Sequence, residues 1–235
     1  MPPPKIKTAA FLANLPLFRE LPPAEIERLA TGTTEVHIPR GTVLFSRGDP
    51  CTGFHLVVYG RIKLSVTSPA GSEKVVEIIN PGFSFGEAVM FMERPYFVTA
   101  QSLADSMLLH VGRDVVFDGL ARHPTLARRM LAGISRRLHG LVSDVESYTL
   151  KSGTQRVVGY LLRTDTEAQG EGEGEGEDAR RVALPIAKAV LASRLNLTPE
   201  HFSRILHELA ERGLIDIDGR NIEIRDLERL RSYGN

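Results

Sequence analysis

Residues 197–213 read LTPEHFSRILHELAERG, and the spacing predicts one amphipathic helix with a defined start and stop. Thr198 can cap the free N–H groups of the first turn through its hydroxyl. Pro199 suits the first helical position, where its missing N–H would be unpaired anyway. Glu200 is favourable beside the positive end of the helix dipole, and Gly213 supplies the stop. Phe202, Ile205, Leu206 and Leu209 recur at helical spacing and form the buried stripe. Glu200, Ser203, Arg204 and His207 share another face, at i, i+3, i+4 and i+7. Out of context that face is a solvated ion pair contributing about 0.3–0.5 kcal/mol.

The flanking residues change the reading. Upstream, LPIAKAVLASRLNL (184–197) predicts a helix ending in a turn through Asn196. Downstream, LIDIDGRNIEI (214–224) alternates on either side of Asp218-Gly219, the signature of a tight hairpin. Helix, turn, helix and hairpin in that order form a winged helix-turn-helix. In that fold the second helix enters the DNA major groove by its N-terminal end. Arg204 can then donate two hydrogen bonds to guanine O6 and N7, while Glu200 accepts from cytosine N4. Ser203 is small enough to meet a thymine methyl or a phosphate. Thr198 and His207 complete the DNA-binding face, and His201 adds a phosphate contact. A good base contact discriminates by about 1–3 kcal/mol, well above the surface ion pair.

Ahead of this unit the pattern is different. Between about 33 and 112, TEVHIPRGTVLFSRGDP (34–50), FHLVVYGRIKLSVTSPAGSEKVVEII (54–79) and AQSLADSMLLHVGR (100–113) are short alternating runs punctuated by glycines. They predict an antiparallel β-roll or sandwich, with SPAGSE as a hairpin turn. Residues 124–150, PTLARRMLAGISRRLHGLVSDVESYTL, predict a long helix. Leu131, Ile134, Leu138, Leu141, Val145 and Tyr148 fall at alternating spacings of three and four, a two-helix dimer seam. Leu126 and Met130 are expected to pack on the roll instead. TEAQGEGEGEGEDARR (166–181) is acidic and of low complexity, and 166–180 is expected to be a flexible loop. The class is therefore α+β in three parts. These are an N-terminal effector-sensing roll with flanking helices (1–122), a dimerisation helix (123–151) and a winged-helix DNA-binding domain (152–235).

Composition narrows the function classes. Across 235 residues the hydrophobic share is 42% and the charged share 25%, and 29 basic residues balance 29 acidic ones. Neutral total charge leaves room for a local basic face. A single cysteine, Cys51, forbids an intramolecular disulfide and cannot alone hold a thiolate zinc site or an iron–sulfur cluster. No segment has the apolar run of a signal peptide or a membrane span, so no membrane partner and a cytoplasmic location are expected. No nucleophile–base constellation, metal-ligand cluster or phosphate-binding glycine loop is present; the chain does not read as an enzyme.

GTVLFSRGDP (41–50), VVYGRIKLSV (57–66), NPGFSFGEAVMF (80–91) and LTPEHFSRILHELAERGLI (197–215), in this order, resemble the CRP/FNR family of bacterial transcription regulators over nearly the whole chain. The resemblance implies a homodimer that reads double-stranded DNA at a palindrome with TTGA-like half-sites and touches RNA polymerase as an activator. Glu200 and Arg204 match the family's base readers, and Ser203 is the residue of the FNR-like branch. In cyclic-nucleotide-binding members Gly-Glu holds the ribose and a downstream Arg-Ser pair holds the phosphate. Gly86 and Glu87 match, but Tyr96 and Phe97 stand at the phosphate position, with Arg94 nearby. A phosphate buried against those rings without a cation would be desolvated at high cost, so cAMP is not expected. Nor is the iron–sulfur cluster of oxygen-sensing members, because the N-terminus has no cysteines. EAVMFMERPYFVTAQS (87–102) and TLKSGTQRVVGYLLR (149–163) resemble the Dnr-type branch, associated with denitrification and nitric oxide, which makes haem a candidate cofactor. Val89, Met90, Phe91, Met92, Tyr96 and Phe97 could line an apolar effector pocket or simply pack between roll and helix. Of the seven histidines, His37 and His139 are expected to face solvent. His55 and His110, on strands, are the candidates for a haem axial ligand, and Cys51 for a thiolate ligand or redox switch.

Overall fold

The computed structural model describes residues 7–169, 180–184, 187–219 and 221–233. It divides into two compact units, Met1–Gly140 and Leu141–Asn235. The division falls inside the long helix rather than at either of its ends.

The first unit opens with α1 (Thr8–Asn14) and α2 (Pro23–Thr31), then β1 (Thr33–Ile38), β2 (Val43–Phe45), β3 (Gly53–Tyr59), β4 (Ile62–Thr67), β5 (Glu73–Ile79) and β6 (Ser84–Phe85). A short helix α3 (Glu87–Met92), β7 (Thr99–Ser102), β8 (Ser106–Gly112) and α4 (Arg113–Arg122) follow. The eight strands make two four-stranded antiparallel sheets, ordered β1-β8-β3-β6 and β2-β7-β4-β5. The β4–β5 hairpin turns through the SPAGSE segment, with Gly71 at φ +84°, a conformation that favours glycine.

β3 and β8 are buried on both faces, so their side chains serve two cores in alternation. Val57 and Leu108 meet Phe45, Ile62, Ile79, Phe85 and Ala100 in the interior between the sheets. Phe54, Leu56, Leu109 and Val111 face the other way, onto helical residues including Leu12, Leu29 and Val116. Leu126 and Met130 of α5 (Pro124–Leu150) close this second core, as expected. Glu25 of α2 is buried and held by Arg122 at 2.9 Å, which ties α2 to the end of α4.

The second unit contains α6 (Gly153–Gln169), β9 (Arg180–Ala183), α7 (Lys188–Arg194), α8 (Pro199–Glu211), β10 (Ile215–Asp218), β11 (Asn221–Ile224) and α9 (Leu227–Tyr233). The hairpin turns at Gly219, φ +59°, with Asp218 opposite Asn221. Three local readings change. The helix expected across 184–197 is a seven-residue α7, and Asn196 ends it at φ +58°, a value asparagine tolerates better than most residues. The wing has a third strand, because β9 pairs with β11. The loop expected over 166–180 is narrower, since α6 runs to Gln169 and β9 begins at Arg180; residues 170–179 lie outside the described residues.

Candidate nucleic-acid interface and effector-domain site

α8 is built as its sequence indicates. Thr198 caps it, its hydroxyl accepting from the His201 N–H at 3.2 Å, and Pro199 fills the first position. Phe202, Ile205, Leu206 and Leu209 are all buried. Val157, Val158 and Leu161 of α6, Leu191 of α7 and Ile215 of β10 are also buried, and α8 packs against these three elements. Gly153 allows the close approach of α6: a Cβ there would lie 3.0 Å from Leu197 and 3.2 Å from Ile205. Tyr233 of α9 donates to Glu208 at 2.7 Å and fixes the far end of α8.

The opposite face is open. Glu200, Arg204 and His207 are exposed and Ser203 is half-buried. His207 Nδ1 donates to the Ser203 carbonyl at 2.8 Å, which holds its ring along the helix. Glu200 and Arg204 form no ion pair with each other, although i,i+4 spacing permits one. Arg212 and Glu208, at the same spacing two turns on, do pair at 3.3 Å. Both charged side chains are therefore available to an outside partner.

On α5, Leu131, Leu138, Leu141 and Val145 are exposed; Leu138 is 62% and Val145 61% accessible in the single chain. Val142 widens the same strip, and Ile134 is half-buried. Tyr148, the sixth seam position, is held within the second unit. Its hydroxyl donates to the Arg194 carbonyl at 2.6 Å and accepts from Arg194 Nη1, while Arg194 Nη2 donates to Asp144 at 2.6 Å.

The expected effector pocket is not one surface. Val89 and Tyr96 enter the interior between the sheets. Met90, with Phe91 beside it, packs in the helical core instead. Met92, Arg94 and Phe97 are exposed, Phe97 at 54%. The cause is α3, whose successive residues point about 100° apart and so meet different faces of the roll. Gly86 precedes it at φ +96°, and Glu87 is buried. Burial pushes the Glu87 carboxyl above the usual carboxylate range, against the opposing pull of Ser84 and Arg137.

Arg137 is the residue that sequence reasoning missed. Its Nε donates to Glu77 at 2.7 Å, and its Nη1 donates to the Ser84 carbonyl at 3.0 Å and lies 3.8 Å from Glu87. The signal was present: Arg137 lies one heptad beyond Met130, on the face of α5 that packs against the roll.

His55 and His110 do come together. They are directly paired across β3 and β8, with ring centroids 4.7 Å apart. Burial and the neighbouring His110 hold His55 down to about 3, and burial lowers His110 as well. The two rings cannot serve together as the axial pair of one haem. Two axial imidazoles must lie on opposite faces of a porphyrin, each nitrogen about 2 Å from the metal, whereas these rings lie side by side. Phe45 and Tyr96 stack at 3.5 Å beside them. Cys51 is half-buried, its thiol donating to the Gly53 carbonyl at 3.2 Å.

A β-roll preceding a winged helix with an open polar face defines a DNA-binding regulator with a sensor-type domain. Residues 35–123 match the cyclic nucleotide-binding domain model, and residues 155–233 match the Crp-like helix-turn-helix domain model. The chain is 27% identical to the CRP-like cAMP-activated global transcriptional regulator of Mycobacterium tuberculosis, over 93% of this chain and 96% of that protein. It is 36% identical to DNR from Pseudomonas aeruginosa, covering 95% of this chain and 96% of that one at a TM-score of 0.50. FixK2 from Bradyrhizobium japonicum shares the fold at a TM-score of 0.72 and 21% identity, over 85% and 96% of the two chains. The chain belongs to the CRP/FNR family of DNA-binding transcription regulators. No helix among the described residues is long and apolar enough to cross a membrane.

Proposed function

We propose that the protein is a homodimeric transcription activator of the Dnr-type branch that binds a TTGA-like palindrome through α8 and contacts RNA polymerase. The observation that carries this reading is the unpaired Glu200–Arg204 couple at the N-terminal end of a helix whose apolar stripe is fully buried. The exposed apolar strip on α5 supports pairing with a second copy, and a two-fold dimer calls for paired half-sites about one helical turn apart. The 36% identity to DNR supports the branch. The signal enters the roll and is passed on through α5, which needs two discrete arrangements for that purpose.

A nitric-oxide signal carried by haem is what the branch suggests, but His55 and His110 do not lend themselves to holding a porphyrin between them. A cyclic nucleotide is the second reading, favoured by the domain match at 35–123 and by the cAMP-activated relative. Against it, Tyr96 is buried, Arg94 is exposed, and Arg137, the cation beside Glu87, is already paired with Glu77. A ligand-independent activator is the third.

The test is fluorescence anisotropy at fixed salt with a TTGA-type palindrome and a scrambled duplex. It is run on the protein as purified, with cAMP, and after haem loading with nitric oxide. The expected result is tight, sequence-specific binding in one of these states. Arg204→Ala is expected to abolish the preference, at about 1–3 kcal/mol per half-site, with the dimer intact. Equal affinity for both duplexes in every state would refute the assignment of α8.

A further inference from the structure

One cluster in the roll is left without a role by the DNA-binding function. His55 and His110 face each other across the β3–β8 ladder and point between the sheets, in phase with Val57 and Leu108. Their rings are inclined at 43°. Phe85 lies 5.2 Å from His55 and nearly parallel to it, and Phe45 lies 5.8 Å away. In this apolar setting the Nδ1 atoms of both histidines are buried without a hydrogen-bond partner. Buried polar atoms are almost always satisfied, so two unpartnered nitrogens on directly opposed residues call for a ligand.

We propose that His55 and His110 form a two-nitrogen site for a transition-metal ion of the zinc, copper or nickel type inside the roll. Imidazole suits these metals. Directly opposed residues on antiparallel strands have Cβ atoms about 4.5–5.5 Å apart, close enough for both rings to reach one ion at about 2 Å. Metal binding requires the neutral ring, and the Nδ1 atom of each histidine is buried and without a partner. Thr52 Oγ1 lies 3.2 Å from His110 Nε2. With Nε2–H donating to Thr52, the Nδ1 lone pair is free, the outer-shell arrangement usual for a ligating histidine.

Among the described residues no group of three or more histidine, cysteine or acidic side chains could hold a metal. The remaining coordination positions therefore fall to exogenous donors. Open positions are a property of exchangeable sites rather than of closed structural ones, and they give the roll a means of taking up a small ligand without a porphyrin. This inference does not depend on the operator or on the Dnr-type branch.

The test uses full-length protein stripped with a chelator and titrated with Zn(II), followed by NMR of the histidine ring nitrogens. One equivalent is expected to shift the His55 and His110 rings together. His55→Phe, which keeps an aromatic ring among Phe45 and Phe85, is expected to weaken binding at least tenfold while the protein stays folded by circular dichroism. His37→Ala, at an exposed position on β1, is expected to bind as the parent does. Zinc that shifts only exposed rings such as His201 and His207 would overturn the site, and so would unchanged binding by folded His55→Phe. The wild-type spectra decide the matter even if that variant does not fold.

Discussion

His55 gives the native state a defined sensitivity to acid. In the unfolded chain its imidazole takes up a proton near pH 6.5, and in the folded chain only near pH 3. Below about 6.5 the unfolded state therefore binds a proton that the native state refuses, and stability falls until the pH reaches the folded value. At 1.36 kcal/mol per unit the loss over that window is on the order of 5 kcal/mol. His55→Phe is expected to flatten the decline in unfolding free energy between pH 6.5 and 3, measured by urea denaturation. A parallel decline in the variant would place the acid sensitivity elsewhere. At this scale the sequence was partly legible. Alternation along β3 and β8 was enough to put both histidines on strands. That they stand opposite one another depends on the β3–β8 register, across more than fifty residues of chain.

α8 shows what is legible at the scale of an element and why. Its cap, its first-turn proline and its four-residue stripe are local features, decided within one or two turns of chain, and the structure reproduces each. Thr198→Ala is expected to lower the stability of the second unit by about 1 kcal/mol, read as a fall in its melting temperature without loss of helix content. An unchanged melting temperature would mean that the tight core beneath α8 makes the cap redundant. Segment 87–97 is the opposite case. Its apolar residues look like one patch because they are consecutive. Their destinations are set by α3 meeting a sheet that is buried on both faces, so Val89, Met90 and Met92 go to three different places. β9 was illegible for a related reason: four residues, RRVA, carry too little pattern to mark a strand, and only pairing with β11 makes them one.

For the whole molecule, the two-part order of roll and winged helix was readable from the change of period along the chain, from two to 3.6 and then to a compact mixture. The place where the structure divides was not, because the seam pattern runs through Gly140 without interruption. Leu138→Glu is expected to convert the proposed homodimer to a monomer in sedimentation analysis. The fold of each unit should be kept, since that side chain buries little surface within the chain. A dimer that survives this change would move the interface away from α5. The unpaired charges on α8 bear on the assembled regulator in another way. No intrahelical ion pair between Glu200 and Arg204 has to be broken, or screened by salt, before DNA is met. The slope of log affinity against log salt concentration will therefore count the counterions displaced from phosphates, and its change in Arg204→Ala will show whether that guanidinium rests on a base or on the backbone.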